Sequence, residues 1–169
     1  MIYRFRIILD AHEDVFRDIE IEDSANLEDF HNAITQSFGF AGQEMASFFT
    51  SNDRWEQEEE IALFDLSEKT GEIRIMNETL IDQVVSEKDT KLIYIYDFLN
   101  MWTFLVELAE IAEPEVGMLY PNLMFSHGEI PEEAPEKEFI SEGSDEVIDE
   151  DYDLDADDYE SLDFDENWN

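Results

Sequence analysis

Residues 91–107, KLIYIYDFLNMWTFLVE, place the tightest limit on what this chain can fold into. Leu92, Tyr94 and Tyr96 alternate with Ile93, Ile95 and Asp97 along a first arm. Trp102, Phe104 and Val106 alternate with Thr103, Leu105 and Glu107 along a second. Side chains of a strand point in turn to opposite faces, so both faces of this pair are largely apolar. The stretch reads as two strands joined by a tight turn, placed at the centre of a sheet and covered on both sides.

The chain before it supplies the rest of the layer. Residues 3–9 are apolar and β-prone, with Arg4 and Arg6 on one face, and the polar turn 11–14 leads into a second extended run, 15–22. Residues 24–39 read as a helix. Asn26 caps it, Glu28 and Asp29 favour its dipole, and Gly39 stops it. Leu27, Phe30, Ala33 or Ile34, and Phe38 recur at helical spacing and should pack across the sheet, with His31 as a structural histidine at the edge of that stripe. Beyond the helix the pattern gives a strand at 45–51, a loop with Trp55 at 52–60, a short apolar run at 61–66, a turn at 68–71, a further apolar run at 73–76 and a short helix at 78–85. After Ala112, Pro114, Gly117 and Pro121 interrupt regular structure, and Met118, Leu119, Tyr120, Leu123, Met124 and Phe125 are expected to anchor an irregular segment wrapped on the sheet. The expected fold is α+β: strand, strand, helix, then a mixed sheet around the central hairpin. A domain at 1–135 is followed by an acidic tail at 136–169.

Charge narrows the function. With 46 acids against 9 Lys and Arg, the net charge is −37. Such a chain repels phosphate, so direct nucleic-acid binding and attachment to an anionic membrane are both excluded as expectations. The same repulsion predicts a monomer when free. Cysteine is absent, which removes disulfides, thiolate metal sites and a cysteine nucleophile. The N-terminal run turns acidic at once and reads as a strand rather than a signal peptide. A cytoplasmic location is the simplest expectation.

The tail carries 14 acids in residues 141–169 and no Lys or Arg, a composition that favours disorder in isolation. Tyr152, Tyr159, Phe164 and Trp168 are interleaved with the acids, as in segments that fold onto a partner. Charge is not confined to the tail, because residues 1–129 hold 28 acids against 8 basic residues, net −20.

The order of motifs resembles the plasmid pRiA4b ORF-3-like family, whose members are often labelled passenger proteins of an insertion element. The matching residues are Leu27, Phe30, His31, Ile34, Phe38, Gly39 and Phe40 on the helix, then Tyr94, Tyr96, Asp97, Phe98 and Trp102 on the hairpin. Pro121 and the Gly128, Pro131, Glu132 stretch are similar to a later family segment, so the resemblance spans about residues 2–135. It implies an α+β fold, and because the family has no established biochemical function it carries over no catalytic residues. One departure stands out. Leu99, Asn100 and Met101 replace the family's Gly-Asp-acidic turn, so Asn100 is expected to take any positive φ, and Leu99 and Met101 form an apolar contact point.

No catalytic constellation emerges. Asp97 is the best candidate for a buried acid, with the structural role of accepting hydrogen bonds in the turn. His12, His31 and His127 lie in three separate segments without the close pairing of a zinc site. Asp149, Asp151, Asp153, Asp155, Asp157 and Glu160 fall at calcium-loop spacing, but Leu154 occupies the position where the loop needs Gly. No cofactor is expected. The favoured function is an acidic module that binds a basic protein surface, such as that of a nucleic-acid-binding assembly, through Leu99, Met101, Tyr152, Tyr159, Phe164 and Trp168. One alternative is a nucleic-acid mimic. Stretched to about 3.3 Å per residue, the tail alone carries one charge per roughly 7 Å, about fourfold sparser than duplex DNA, so mimicry needs domain and tail together. The other alternative is a metal-dependent enzyme that uses Asp97 and the histidines.

Overall fold

A computed structural model of the chain describes residues 1–65 and 73–135. Its elements are β1 (Ile2–Leu9), β2 (Phe16–Glu22), α1 (Leu27–Phe38), β3 (Ala46–Ser51), β4 (Gln57–Ala62), β5 (Arg74–Ile75), β6 (Lys91–Tyr96), β7 (Trp102–Ala112) and β8 (Asn122–His127). Among the described residues they form one sheet in the order β5-β4-β3-β6-β7-β1-β2-β8. The β4–β5 pair is parallel and every other neighbouring pair is antiparallel, so the sheet is mixed. The hairpin β6–β7 lies at its centre, with Leu92 opposite Val106, Tyr94 opposite Phe104 and Tyr96 opposite Trp102. Residues 92–96 are all buried, as a run apolar on both faces requires.

Local chemistry sets the helix. The Asn26 side chain accepts the Asp29 N–H at 2.8 Å, and the Asp29 carboxylate accepts the Asn26 N–H at 3.4 Å. This reciprocal cap satisfies two amides that the first turn leaves unpaired. Gly39, with φ +85°, ends the helix in a left-handed conformation that costs a glycine little. Leu27, Phe30 and Ile34 are fully buried against the sheet. Phe30 lies 4.6 Å from the Phe5 ring and 5.5 Å from Phe48, which in turn reaches Tyr94 at 4.8 Å. Each such ring contributes roughly 1.5–3 kcal/mol by burial.

Arg17 locks the C-terminal end of the helix to the sheet. Its Nε donates to the Ser37 carbonyl, and its Nη1 donates to the carbonyls of Phe16, His127 and Gly128. The guanidinium also lies over Phe38, at 4.6 Å. A cation beside the helix C-terminus meets the negative end of the dipole. Gly128 is required where the chain passes: its φ is +80°, and a Cβ there would lie 2.5 Å from the Asp14 carbonyl oxygen.

Three elements differ from the sequence reading. The loop expected at 52–60 is shorter, because residues 57–62 form β4. Its buried end pairs Ile61 with Phe48, while the acids before it are exposed, or in Glu60's case half-buried, with Glu60 accepting the Ser47 hydroxyl at 2.7 Å. The helix expected at 78–85 is instead two short 3₁₀ turns, Met76–Glu78 and Ile81–Gln83. The backbone there is pinned to the start of α1, Leu27 N–H donating to Thr79 and Ile81 N–H to Ala25. The irregular wrap expected after Ala112 contains β8, an edge strand on β2. Its residues Leu123, Met124 and Phe125 are exposed rather than anchored. The turn expected at 68–71 and the tail from 136 onward lie outside the described residues. Among the described residues no helix is long and apolar enough to cross a membrane.

Candidate functional site

The turn between β6 and β7 is built on Asp97. Its carboxylate accepts the Leu99 N–H at 3.2 Å and the Asn100 side-chain amide at 2.6 Å. Its backbone carbonyl accepts the amides of Asn100 and Met101. Asp97 is thus a buried acid holding a turn, the role its position suggested. The positive φ falls on Asp97 (+64°) and Met101 (+58°), not on Asn100. Asp is among the residues that tolerate this region, because its short polar side chain bonds locally. The consequence is an outward tip. Leu99 is 93% exposed and Met101 38%, and Phe98, which the sequence reading did not single out as a contact, joins them at 43%.

A second apolar surface lies at the other end of the sheet. Leu123, Met124 and Phe125 of β8 are exposed, as are Val116, Met118 and Leu119 just before it. Among the described residues β8 pairs with β2 alone and so forms an edge of the sheet. The sequence signal for this strand was six residues bracketed by Pro121 and Gly128, but exposed strands lack the burial pattern that marks a core.

The histidines are dispersed. His31 is buried beneath α1, its Nδ1 2.6 Å from the Tyr94 hydroxyl. Burial lowers its pKa to about 4 and pushes that of Tyr94 well up, so both are neutral near pH 7. His127 stacks on Phe16 at 5.2 Å, and His12 lies exposed in the β1–β2 turn. Asp97, His31 and His127 are therefore not brought together. Among the described residues no group of three or more His, Asp or Glu is placed to hold a metal ion. Tyr152, Tyr159, Phe164 and Trp168, and the acids at calcium-loop spacing, lie outside the described residues.

The β1–β2–β7 face away from α1 is a lattice of ion pairs. Arg4 reaches Glu20 at 3.1 Å and Glu110 at 3.0 Å, and Arg6 forks onto both Asp18 oxygens at 2.8 and 2.9 Å. These carboxylates raise the pKa of both guanidiniums.

A mixed sheet with one helix across it and an exposed apolar tip defines an α+β protein. The chain belongs to the family described as plasmid pRiA4b ORF-3-like protein, whose profile matches residues 1–168. The match runs past the 2–135 span of the sequence resemblance and through the acidic tail. Among solved structures, the chain is similar to a protein of unknown function from Methanosarcina mazei Go1. That likeness has a TM-score of 0.64 at 17% identity and covers 74% of this chain and 68% of that one. It speaks to the fold alone. No curated protein matches the chain.

Proposed function

We propose that this protein is an acidic interaction module that binds a basic surface of a partner protein and performs no catalysis of its own. The disposition of its few cations carries this reading. The described residues hold 28 acids and 7 Lys or Arg. Arg4, Arg6, Arg54, Arg74 and Lys91 are ion-paired with acids of the same chain. Arg17 is buried among carbonyls, which leaves Lys88, exposed, as the seventh. The field that reaches solvent is therefore almost wholly negative, which steers a basic partner inward and repels nucleic acid and anionic membrane.

Within that field, Leu99 and Met101, with Phe98 beside them, give the docked partner an apolar contact, since they protrude where a folded chain would otherwise bury them. Tyr152, Tyr159, Phe164 and Trp168 supply further anchors from the acidic tail. A basic face of a nucleic-acid-binding assembly in the cytoplasm has the complementary chemistry. The module itself is a monomer when free, because its charge opposes self-association.

The test is capture of a discrete basic partner by the full chain at low and high salt, alongside a Leu99→Ser/Met101→Ser variant and one with the four tail aromatics changed to Ser. Binding should fall as salt rises and weaken about tenfold in the turn variant. Capture that ignores both salt and the turn variant sinks the proposal. Displacement of the partner's own nucleic acid would turn it into nucleic-acid mimicry.

A further inference from the structure

An open groove of about 420 Å³ runs along the outer side of α1, between the helix and the chain entering β8. Ala25 and Ala33 line it, and their small side chains leave the space that phenylalanines fill on the buried side of the same helix. The size falls in the range of pockets that hold a side chain or small ligand, roughly 300–1,000 Å³.

The polar lining selects the ligand. Glu22 and Asp29 bring two carboxylates, and Asn32 and Gln36 bring two side-chain amides, one helical turn apart. Neither amide side chain hydrogen-bonds another described residue, and Asp29 commits one oxygen to the helix cap. Among the described residues no Lys or Arg lines the groove. Phosphate and carboxylate ligands are thereby repelled, and a ligand rich in donors is favoured. Tyr120, held by the Glu115 N–H at 3.2 Å on its hydroxyl, adds an aromatic surface beside Pro121.

We propose that this groove receives an arginine side chain of the basic partner. The inference rests on reading the protein as a module for basic surfaces, and it names the group recognised. A guanidinium carries five donors in a planar fork, which suits acceptors spread along a helix better than the compact ammonium of lysine does. Its alkyl stem would lie on Ala25, Ala33 and Pro121 while the head meets Glu22, Asp29 and the two amides.

The experiment is an amide-resolved NMR titration of the full chain with Nα-acetyl-arginine amide, with the lysine and citrulline analogues as controls. Shifts should saturate at residues 29–36 and 120–121 with arginine, be weaker with lysine, and vanish with the uncharged citrulline. Gln36→Lys, an exposed change that leaves the fold intact, should weaken arginine binding about tenfold. Equal response to lysine or citrulline, shifts spread evenly over the acidic surface, or indifference to Gln36→Lys would overturn the groove. Undiminished capture of the basic partner by Gln36→Lys would also overturn it, yet leave the module reading standing.

Discussion

The two faces of the β1–β2 ladder are made by alternate residues of the same strands, yet they are stabilised in opposite ways. Toward α1, Phe5, Ile7, Ile19 and Ile21 are buried among aromatic rings. Away from it, Arg4 and Arg6 face Glu20 and Asp18 across the ladder and in part remain wet. The first face draws on area removed from water, which is large and insensitive to salt. The second draws on ion pairs: Arg6–Asp18 lies near solvent, where a pair is individually small and screened by salt, while Arg4 reaches the buried carboxylate of Glu20. The comparison teaches where a chain of net charge −37 can hold its stability: nearly all of it belongs on the side of the sheet packed under α1, where even the Arg17 guanidinium is enclosed by carbonyls and the Phe38 ring.

Phe30→Ala tests that division most severely. Phe30 is fully buried between Phe5 and Phe48, so its truncation should cost about 3–5 kcal/mol in a urea titration. Phe125→Ala, which removes the same group from the exposed edge strand β8, should cost no more than about 0.5 kcal/mol. Similar losses at the two sites would break the comparison.

His31 sharpens it with pH. Its folded pKa, about 4, lies below the ordinary value of 6.5 because burial disfavours the charged ring. Between these values the unfolded chain binds the proton and the folded chain does not. The His31 contribution is therefore complete above about pH 6.5 and drains away as pH falls toward 4, a loss on the order of 3 kcal/mol. Protonation of surface acids relieves repulsion over part of the same range and acts in the opposite sense. His31→Gln, which cannot titrate, isolates the histidine. Relative to this variant, the native chain should lose urea resistance between pH 7 and pH 4.5, and equal slopes would place His31 outside the dry face.

Asp97 lies where the dry hairpin turns into the wet tip, and it serves both sides. Asp97→Ala removes the acceptors of Leu99 N–H and Asn100 and forces alanine into φ +64°, at a cost of about 2 kcal/mol. Asp97→Asn keeps an acceptor and tolerates that φ, so it should lose about half as much. If the two variants were equally stable, the turn would not depend on the carboxylate, and the protrusion of Leu99 would need another cause.

What the sequence revealed follows the range of the interactions. The bounds of α1 were legible because Asn26, Asp29 and Gly39 act within a few residues of one another. The central hairpin was legible because alternation over two adjacent arms needs no distant partner. β4 was hidden because acids are depleted from strands, and only its pairing with β3 makes residues 57–60 extended. β8 was hidden because its apolar residues face solvent and so mimic core anchors. The exposed apolar tip at Leu99 and Met101 was visible as a local departure, whereas the residues carrying positive φ there were not, since Asp97 competes with Asn100 for that role. The groove beside α1 was beyond reach, because it exists only once Tyr120 and Pro121, distant in the chain, are folded beside Asn32 and Gln36.

The smallest expected effect lies on the wet face and completes the comparison. Arg6 forks onto Asp18 and covers the Phe16 ring at 4.2 Å, so its geometry is as good as an exposed pair can have. Even so, the Arg6 side chain is half in solvent, and an exposed pair gives up side-chain freedom to form. Arg6→Ala should therefore cost less than about 1 kcal/mol at low salt. In 1 M salt, where the Debye length shrinks to about 3 Å, most of that difference should vanish while the Phe30→Ala loss persists. A double-mutant cycle with Asp18→Ala separates the pair from the packing of Arg6 on Phe16. A coupling of several kcal/mol that survives salt would show that this face is as dry as the one beneath α1, and the division between the two faces would fail.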